Sequence, residues 1–408
     1  MDSITQIVLG AAMGEAALGK KVGNRAMLWG AVGGTIPDLD VLGNFMMDEI
    51  GALAFHRAIS HSFFFACTAP VLLGWLTWKF YQSGVYRRRW YKALAAFMWL
   101  LLLGLIGFGI NYIPVGNGGG IKIPLLLITI FVLALFAWTI YKNYYRTDLE
   151  EVRASWRDWG MVFFWSIFTH PILDSFTPFG TQLFQPFHNY RVAFNNIAVV
   201  DPIYTVPFLI CLVVAAWLPK ESPRRRFWNW LGIALSSAYM LFTLYHKWEV
   251  NRIFEKSLAE KNITYQRYMT SPTIFNNILW QGMAEGDTAY YHGMYSFMDE
   301  TPEVIKFSTI PKNHHLIAGH ENDRAIRILK WFSNNYYNVI RRQDGALQLN
   351  DLRYGSAGDG FEKETDYIFR FILEEKDGQL DARQTREGSD VSKEAFQKLW
   401  NRIRGQRE

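Results

Sequence analysis

The stretch WGMVFFWSIFTHPILDSF, residues 159–176, decides the fold class, because it is apolar over the length of a membrane span and still carries a histidine and an aspartate. A hydrocarbon core of ~30 Å needs roughly 20 residues of helix at about 1.5 Å per residue. His170 and Asp174 are four residues apart, so on a helix both side chains lie on one face and can reach one ion. The alternative is a polar pair that satisfies itself by its own hydrogen bond.

Five further apolar runs have a similar length and predict, together with 159–176, about six membrane-spanning helices. They are residues 58–80, 93–113, 123–141, 199–218 and 227–245. Two shorter runs, 3–18 and 26–36, are rich in small residues, and Gly10 and Gly14 have the GxxxG spacing that lets helix backbones approach closely. The sequence therefore predicts an all-α membrane bundle of about six long spans plus two short N-terminal helices.

The composition changes after Tyr245, where charged residues become evenly spread and no apolar run is long enough to span a membrane. Hairpins are predicted around Glu285-Gly286-Asp287 and Asp344-Gly345, with a helix near 321–332 and a strand near 367–374. We expect four regions: a helical transmembrane domain (1–246), an amphipathic connecting helix (247–270), a small soluble α+β domain (271–383) and a polar, flexible tail (384–408).

Lysine and arginine are unevenly distributed between the two sets of loops. They cluster in residues 20–25, 87–92, 142–157 and 220–226, whereas the opposite connections hold Arg57, Lys122 and Arg191. The cytoplasmic side carries the excess of basic residues, so we expect the clusters there and the C-terminal domain on the extracytoplasmic side. The net charge of +5 then reports topology and not nucleic-acid binding.

Ionisable side chains recur in segments that the predicted topology brings to the outer face. Each costs ~2.5 to 3.5 kcal/mol at a helix centre, so a group of them indicates pairing, metal binding or a wet cavity. The residues are Asp2, Asp38, Asp40, His56, His61, His170, Asp174 and Asp201.

Most of these segments also have an interpretation without metal. The PDLD segment (37–40) would point both aspartates to one side if extended, but it is equally a solvated turn with a helix cap. Of His56 and His61, one could be a metal ligand and the other a contact to that ligand or to the substrate. Alternatively, both are interfacial histidines held by water. Asp2 and Asp201 each precede an apolar helix, where a carboxylate caps the helix without any metal.

Together the set favours a divalent transition metal, with Zn first and Mn or Fe next, because imidazole mixed with carboxylate disfavours an all-oxygen Ca or Mg site. Such an ion lowers the pKa of bound water and polarises an ester or phosphoester, so hydrolysis needs no protein nucleophile. No HExxH, GxSxG or P-loop motif occurs in the chain. The commonest metalloprotease and serine-hydrolase patterns are therefore excluded.

Several motifs occur in a fixed order: PDxD, HRxxxHS and HxxxDxxTPxG. They lie in the stretches MDSITQIVLGAAMGE (1–15), GGTIPDLDVL (33–42), FHRAISHSFFF (55–65), THPILDSFTPFGTQLFQPF (169–187) and VVDPIYTVP (199–207). In these stretches the chain resembles the YdjM-like family of bacterial membrane-bound metal-dependent hydrolases, over about the first 220 residues.

The resemblance implies a helical metal site and, more distantly, a likeness to all-helical hydrolases of the zinc-dependent phospholipase C type. It implies ligand roles at the motif positions Asp38, Asp40, His56, His61, His170 and Asp174, with Asp201 and Asp2 as further members. Many relatives have Thr-His near the N-terminus where this chain has Thr5-Gln6. A neutral amide is a weak metal ligand.

We assign roles as follows: metal binding to Asp38, Asp40, His56, His61, His170, Asp174 and Asp201; catalysis to Asp38, His61 and Asp174; and substrate contact to Arg57 and Arg191. Arg191 could meet a phosphate with its guanidinium fork. Two prolines and a glycine after the helix predict that 177–187 is a loop that covers the site, with an interfacial anchor as the alternative.

The leading hypothesis is a multi-pass protein of the bacterial inner membrane that hydrolyses an ester or phosphoester, of a lipid at the outer leaflet, and has no nucleic-acid partner. The alternative is a transporter or channel in which the Asp and His side chains bind an ion or relay protons. Against transport, no inverted repeat is evident, and the polar groups cluster toward one face. A third interpretation is a structural membrane protein whose metal only joins helices.

Overall fold

The computed structural model describes residues 1–112, 123–300, 305–356, 360–385 and 393–406. Two compact units are present: Val71–Gly160 forms one, and Met1–Pro70 with Met161–Glu408 forms the other. Lys122, used above for the orientation, and part of the tail predicted at 384–408 lie outside the described residues.

The chain begins with a closely packed helical hairpin, α1 (Ser3–Val22) and α2 (Asn24–Thr35), joined by Gly23. A Cβ on Gly10 would lie 2.4 Å from the carbonyl oxygen of Gly30, and a Cβ on Gly14 would lie 2.2 Å from that of Ala26. Both positions need glycine for the backbones to approach this closely. Helices in both N-terminal apolar runs and the close approach at the GxxxG spacing are thus confirmed, but α1, with 20 residues, is not the short helix that was predicted.

Short helical elements follow the hairpin and lead into the long helices. They are a 3-10 helix, Pro37–Phe45, called here the PDLD helix; α3 (Glu49–Phe55); a second 3-10 helix, Ile59–His61, called the ISH turn; α4 (Phe63–Gln82); α5 (Arg89–Tyr112); and α6 (Ile123–Ile140). Then come α7 (Trp156–Ser175), α8 (Pro202–Trp217) and α9 (Pro223–Glu260).

Three helices in the described part of the chain are long and apolar enough to cross a membrane: Phe63–Gln82, Arg89–Gly109 and Ile123–Tyr145. In the unit Val71–Gly160, α5 and α6 expose large apolar side chains such as Phe108 (62%) and Phe131 (63%). A helix that is hydrophobic all round is typical of a membrane span. The other three predicted spans fall in α7, α8 and α9, and their crossing of the membrane stays a prediction.

The C-terminal part of α9 packs on a four-stranded antiparallel sheet. Its strands, in the spatial order β1-β2-β3-β4, are β1 (Arg267–Pro272), β2 (Leu279–Glu285), β3 (Ala289–Ser296) and β4 (Phe307–Pro311). Phe254 of α9 covers Gly282, where an added Cβ would lie 2.1 Å from the ring. The predicted connecting segment 247–270 therefore corresponds to the end of α9, a short link and the start of β1.

A second four-stranded antiparallel sheet completes the C-terminal domain. It consists of β5 (Tyr337–Arg341), β6 (Leu347–Ser356), β7 (Tyr367–Lys376) and β8 (Gln379–Thr385), with α10 (Arg324–Phe332) before it and α11 (Lys393–Ile403) after it. Ile50 of α3 is buried in the same cluster as Ile326 and Leu329 of α10. The segment between the PDLD helix and the ISH turn is thus packed against the second sheet's helix.

Candidate metal centre

Four side chains from three segments converge: Asp38, His61, His170 and Asp174. Asp38 belongs to the PDLD helix, and His61 ends the ISH turn. His170 and Asp174 lie one turn apart on α7, the arrangement that their spacing predicts. Three of the four side chains are fully buried, whereas that of Asp38 is 20% exposed. These four residues could hold a metal ion.

Five of the six distances between the converging atoms are close to those that a small tetrahedral ion requires, and the two carboxylate oxygens lie within 4.8 Å of each other. Nε2 of His61 lies 3.1 Å from Nε2 of His170. Oδ1 of Asp38 lies 3.5 and 3.4 Å from these two nitrogens, and Oδ2 of Asp174 lies 3.4 Å from each. Ligand atoms held at ~2.0 to 2.1 Å from a tetrahedral Zn are about 3.3 to 3.4 Å apart. The residues present therefore fit such an ion.

The tautomers of the two histidines are set by what their other ring nitrogens meet. Nδ1 of His170 lies 2.7 Å from the carbonyl oxygen of Gly34, which can only accept, so this nitrogen carries the proton. Nδ1 of His61 lies 3.0 Å from Oγ of Ser60 and 3.4 Å from the carboxylate of Asp40. Both Nε2 lone pairs then point at each other and at two carboxylate oxygens. Such a set needs a cation or extra protons at its centre, since it otherwise repels itself.

One carboxylate oxygen of Asp174 is held by neighbouring residues, and the other faces the two histidines of the group. Its Oδ1 accepts a hydrogen bond from Nε2 of Gln6 at 3.0 Å and contacts the amino group of Met1. Its Oδ2 is buried without a hydrogen-bond partner. Gln6 also donates to the carbonyl oxygen of His170 at 3.2 Å. The Gln6 amide thus positions Asp174 and is not itself a member of the group of four.

The PDLD segment is a 3-10 helix, so the expectation that an extended chain points Asp38 and Asp40 to one side is wrong. At three residues per turn, a step of two residues rotates the side chain by about 240°. Asp40 accepts instead from Nδ1 of His56 at 2.8 Å and from the backbone N–H of Arg57 at 2.7 Å. Asp40, which also faces Nδ1 of His61, and His56 thus lie outside the group of four, in the position of outer partners. The direct ligand roles assigned to them stay predictions.

The other two predicted carboxylates are placed as helix caps. Asp201 accepts from the backbone N–H groups of Ile203 and Tyr204 at 3.0 and 3.3 Å, and its second oxygen accepts from the Tyr239 hydroxyl at 3.0 Å. Asp2 accepts from Thr5 at the start of α1. Neither belongs to the group of four, and a ligand role for Asp201 stays a prediction.

Arg57 stands directly beside the centre. Its backbone has a φ of 58°, which is uncommon for a residue other than glycine. Its Nη1 donates to the hydroxyl of Thr177 at 3.1 Å, and its Nε lies 3.2 Å from Oδ2 of Asp174. An anion bound by this guanidinium would therefore lie next to the four converging side chains.

Two further arginines hold the segment that follows Asp174, which we call the TPFG segment (177–180). Arg191 donates from Nε to the carbonyl oxygen of Phe179 at 3.2 Å and from Nη2 to that of Gly180 at 3.1 Å. Arg353 of β6 donates from Nη1 to the carbonyl oxygen of Pro178 at 3.2 Å. The sequence predicted Arg57 and Arg191 as functional residues but contains no signal that places Arg353 there.

Three aspartate substitutions should affect metal affinity to different extents. Asp40 contacts the ligand His61, Asp174 is one of the four converging residues, and the third aspartate lies away from them. Asp40→Asn should keep the ion but weaken its binding by roughly 10- to 100-fold, because outer partners orient a ligand without touching the metal. Asp174→Asn should abolish stoichiometric binding. Asp377→Asn, in the exposed turn between β7 and β8, is the matched control, since asparagine also tolerates the positive φ of this position. Competition titrations with a metal indicator would measure all three, and an unchanged affinity in Asp174→Asn would contradict the assignment.

The comparisons with known proteins bear on the chain as a whole. Residues 1–111 and 123–250 match the sequence model of a family described as YdjM inner membrane protein, and all four converging side chains lie within the match. Comparison with curated proteins and with solved structures gave no significant match. The match covers more than half of the chain and agrees with the resemblance carried by the motifs. The chain belongs to the YdjM family of inner membrane proteins.

Proposed function

We propose that the protein is a metal-dependent hydrolase of the inner membrane that acts on an ester or phosphoester. The single observation that carries the proposal is the convergence of His61, His170, Asp38 and Asp174 through four lone-pair atoms, all within 4.8 Å of one another. A divalent transition ion, with Zn as the first candidate, would supply the Lewis acidity that lowers the pKa of water and polarises an ester.

The four side chains divide into two roles. His61, His170 and Asp174 are fully buried and fixed from behind by Ser60 and Asp40, by Gly34 and by Gln6, so they would hold the ion. The Asp38 side chain is 20% exposed. Catalytic zinc sites combine three protein ligands with one exchangeable position. We therefore assign the exchangeable fourth position to the partly open corner at Asp38, whose carboxylate would accept a proton from water there instead of remaining a fixed ligand.

The surroundings favour an amphiphilic substrate. The PDLD helix that carries Asp38 also exposes Leu39 (50%), Leu42 (55%) and Phe45 (87%). Apolar side chains exposed next to a partly open polar site fit a substrate with both a lipid part and a polar head. A phospholipid, or another ester with an acyl chain, at the outer leaflet meets these requirements.

The same proposal includes six membrane spans and an extracytoplasmic C-terminal domain, as the distribution of basic residues predicts. A cysteine placed at exposed Asp377, between β7 and β8, should react with a membrane-impermeant maleimide in intact spheroplasts. The matched change Glu221→Cys, between α8 and α9, should react only after permeabilisation. Both are made with Cys67→Ala, because Cys67 is exposed and Cys211 is buried. Labelling of the opposite pattern would invert the topology.

Hydrolysis is tested with the full-length protein in detergent, by metal analysis beside assays with chromogenic phosphodiesters, carboxylic esters and phospholipids. His170→Ala should lose both metal and activity. Asp38→Asn should retain metal and lose about 10²- to 10⁴-fold in rate, the usual contribution of a general base. His315→Ala, on the exposed surface of the C-terminal domain, is the control for a histidine replacement.

Two results would contradict the hydrolase proposal, and they point to different alternatives. Stoichiometric metal in a protein that hydrolyses none of these substrates would favour an ion that only joins helices. A folded wild-type protein that binds no metal under non-chelating conditions would favour proton relay by the same Asp and His side chains.

A further inference from the structure

Three arginines from three parts of the chain interleave with two aromatic rings beside the candidate metal centre. The guanidinium carbons of Arg57 and Arg191 lie 4.9 and 4.7 Å from the ring centroid of Phe179. Those of Arg191 and Arg353 lie 5.3 and 4.8 Å from that of Phe332. The two rings meet edge to face, with centroids 5.2 Å apart. The arginines are thus gathered into one cluster, which we call the arginine cluster.

The carboxylates near the cluster do not balance its charge. Arg353 is paired with Asp351, with Nη2 2.6 Å from Oδ2. Arg57 lies beside Asp174, whose Oδ2 belongs to the candidate metal centre. Arg191 makes its hydrogen bonds to two carbonyl oxygens, and within the described ranges no carboxylate forms an ion pair with it. The cluster therefore carries an excess positive charge in a buried place, which is unfavourable without an anion.

Two donors in this cluster are buried without a hydrogen-bond partner, Nη1 of Arg191 and the hydroxyl of Tyr354. A third, Nε of Arg57, faces Oδ2 of Asp174 at 3.2 Å. Tyr354 follows Arg353 on β6 and interacts electrostatically with all three arginines. Burial raises the pKa of Tyr354 to about 12, so the hydroxyl keeps its proton. Burial and the charge of Arg353 lower the pKa of Arg191 to about 9. Buried donors are nearly always paired, so Nη1 of Arg191 and the Tyr354 hydroxyl indicate a ligand that accepts hydrogen bonds.

We propose that the arginine cluster and Tyr354 form a binding site for a phosphate group. A phosphate offers several acceptor oxygens around a tetrahedral centre, which suits donors arriving from different directions, and arginine binds it through charge-assisted hydrogen bonds. Arg57 connects the two sites, because it touches both Asp174 and the ring of Phe179. That this phosphate belongs to the substrate rests on the proposed function, and it makes the substrate a phosphoester.

The C-terminal domain contributes to this site directly. Arg353 and Tyr354 come from β6, and Phe332 ends α10. Arg191 and Phe179 come from the segment between α7 and α8. The arginine cluster is therefore built jointly by the C-terminal domain and the segment between α7 and α8. The C-terminal domain would select the head group of the substrate, while the reacting bond would lie at the candidate metal centre.

Phosphate binding is measured on the full-length protein in detergent by calorimetric titration. The first probe is inorganic phosphate; the second is dioctanoyl phosphatidic acid, with dioctanoylglycerol as the uncharged control of equal chain length. Wild type should bind the probes that carry phosphate and not dioctanoylglycerol. A higher affinity for the lipid than for inorganic phosphate would identify a lipid head group as the source, and the reverse order would identify a free phosphate.

Two variants separate recognition from folding. Arg191→Gln should weaken phosphate binding at least tenfold, whereas the exposed control Arg252→Gln on α9 should leave it unchanged. Tyr354→Phe removes only a hydroxyl that has no partner. It should therefore weaken phosphate binding several-fold while the protein without ligand stays as stable as wild type or becomes more stable. A purely structural role for Tyr354 would not produce that combination.

The proposal is overturned if wild type binds neither phosphate probe, or if Arg191→Gln and Tyr354→Phe both bind with the wild-type affinity. Metal content is measured in the same samples and should not change in either variant. Failure of the hydrolase proposal would appear as missing metal or missing turnover. Failure of the present proposal would appear as missing phosphate binding in a protein that holds its metal, so the two results are distinguishable.

Discussion

The imidazole nitrogens Nε2 of His61 and His170 lie 3.1 Å apart in the protein interior, and each is turned inward because its other ring nitrogen faces an acceptor behind it. Two carboxylate oxygens complete the group. Four electron-rich atoms cannot be packed together in a place shielded from water unless positive charge lies between them. Much of the surrounding structure serves this arrangement. The glycine hairpin α1–α2 brings the carbonyl of Gly34 to His170, and Gln6 on the same hairpin holds Asp174.

How far the sequence predicts this site depends on the kind of element that carries each residue. His170 and Asp174 were predicted as a pair because an α-helix fixes which residues share a face. Asp38 could not be distinguished from Asp40, nor His61 from His56, since each pair offers the same chemistry in a short segment. Which aspartate and which histidine enter the group of four depends on the 3-10 conformation of the PDLD helix and on the positive φ of Arg57. Neither conformation has a clear periodic signal in the sequence.

For the fold, too, local elements could be predicted from the sequence, whereas contacts between distant segments could not. The apolar runs and the GxxxG spacing predicted helices that the structure contains, and the turns at Glu285-Gly286-Asp287 and Asp344-Gly345 correctly predicted the β2–β3 and β5–β6 hairpins. What the sequence did not reveal is the contact between distant elements. Arg353 lies 175 positions from Pro178, whose carbonyl oxygen it binds. No local pattern marks such a residue, because its role arises only when β6 meets the TPFG segment.

X-ray absorption spectroscopy of the zinc-loaded full-length protein would identify the atoms around the ion. The spectrum should show about two imidazole nitrogens together with carboxylate or water oxygens at ~2.0 to 2.1 Å. In His61→Ala, any remaining signal should lose one imidazole contribution. An ion surrounded only by oxygen in the wild-type protein, or an unchanged imidazole signal in His61→Ala, would rule out a metal centre built on His61 and His170.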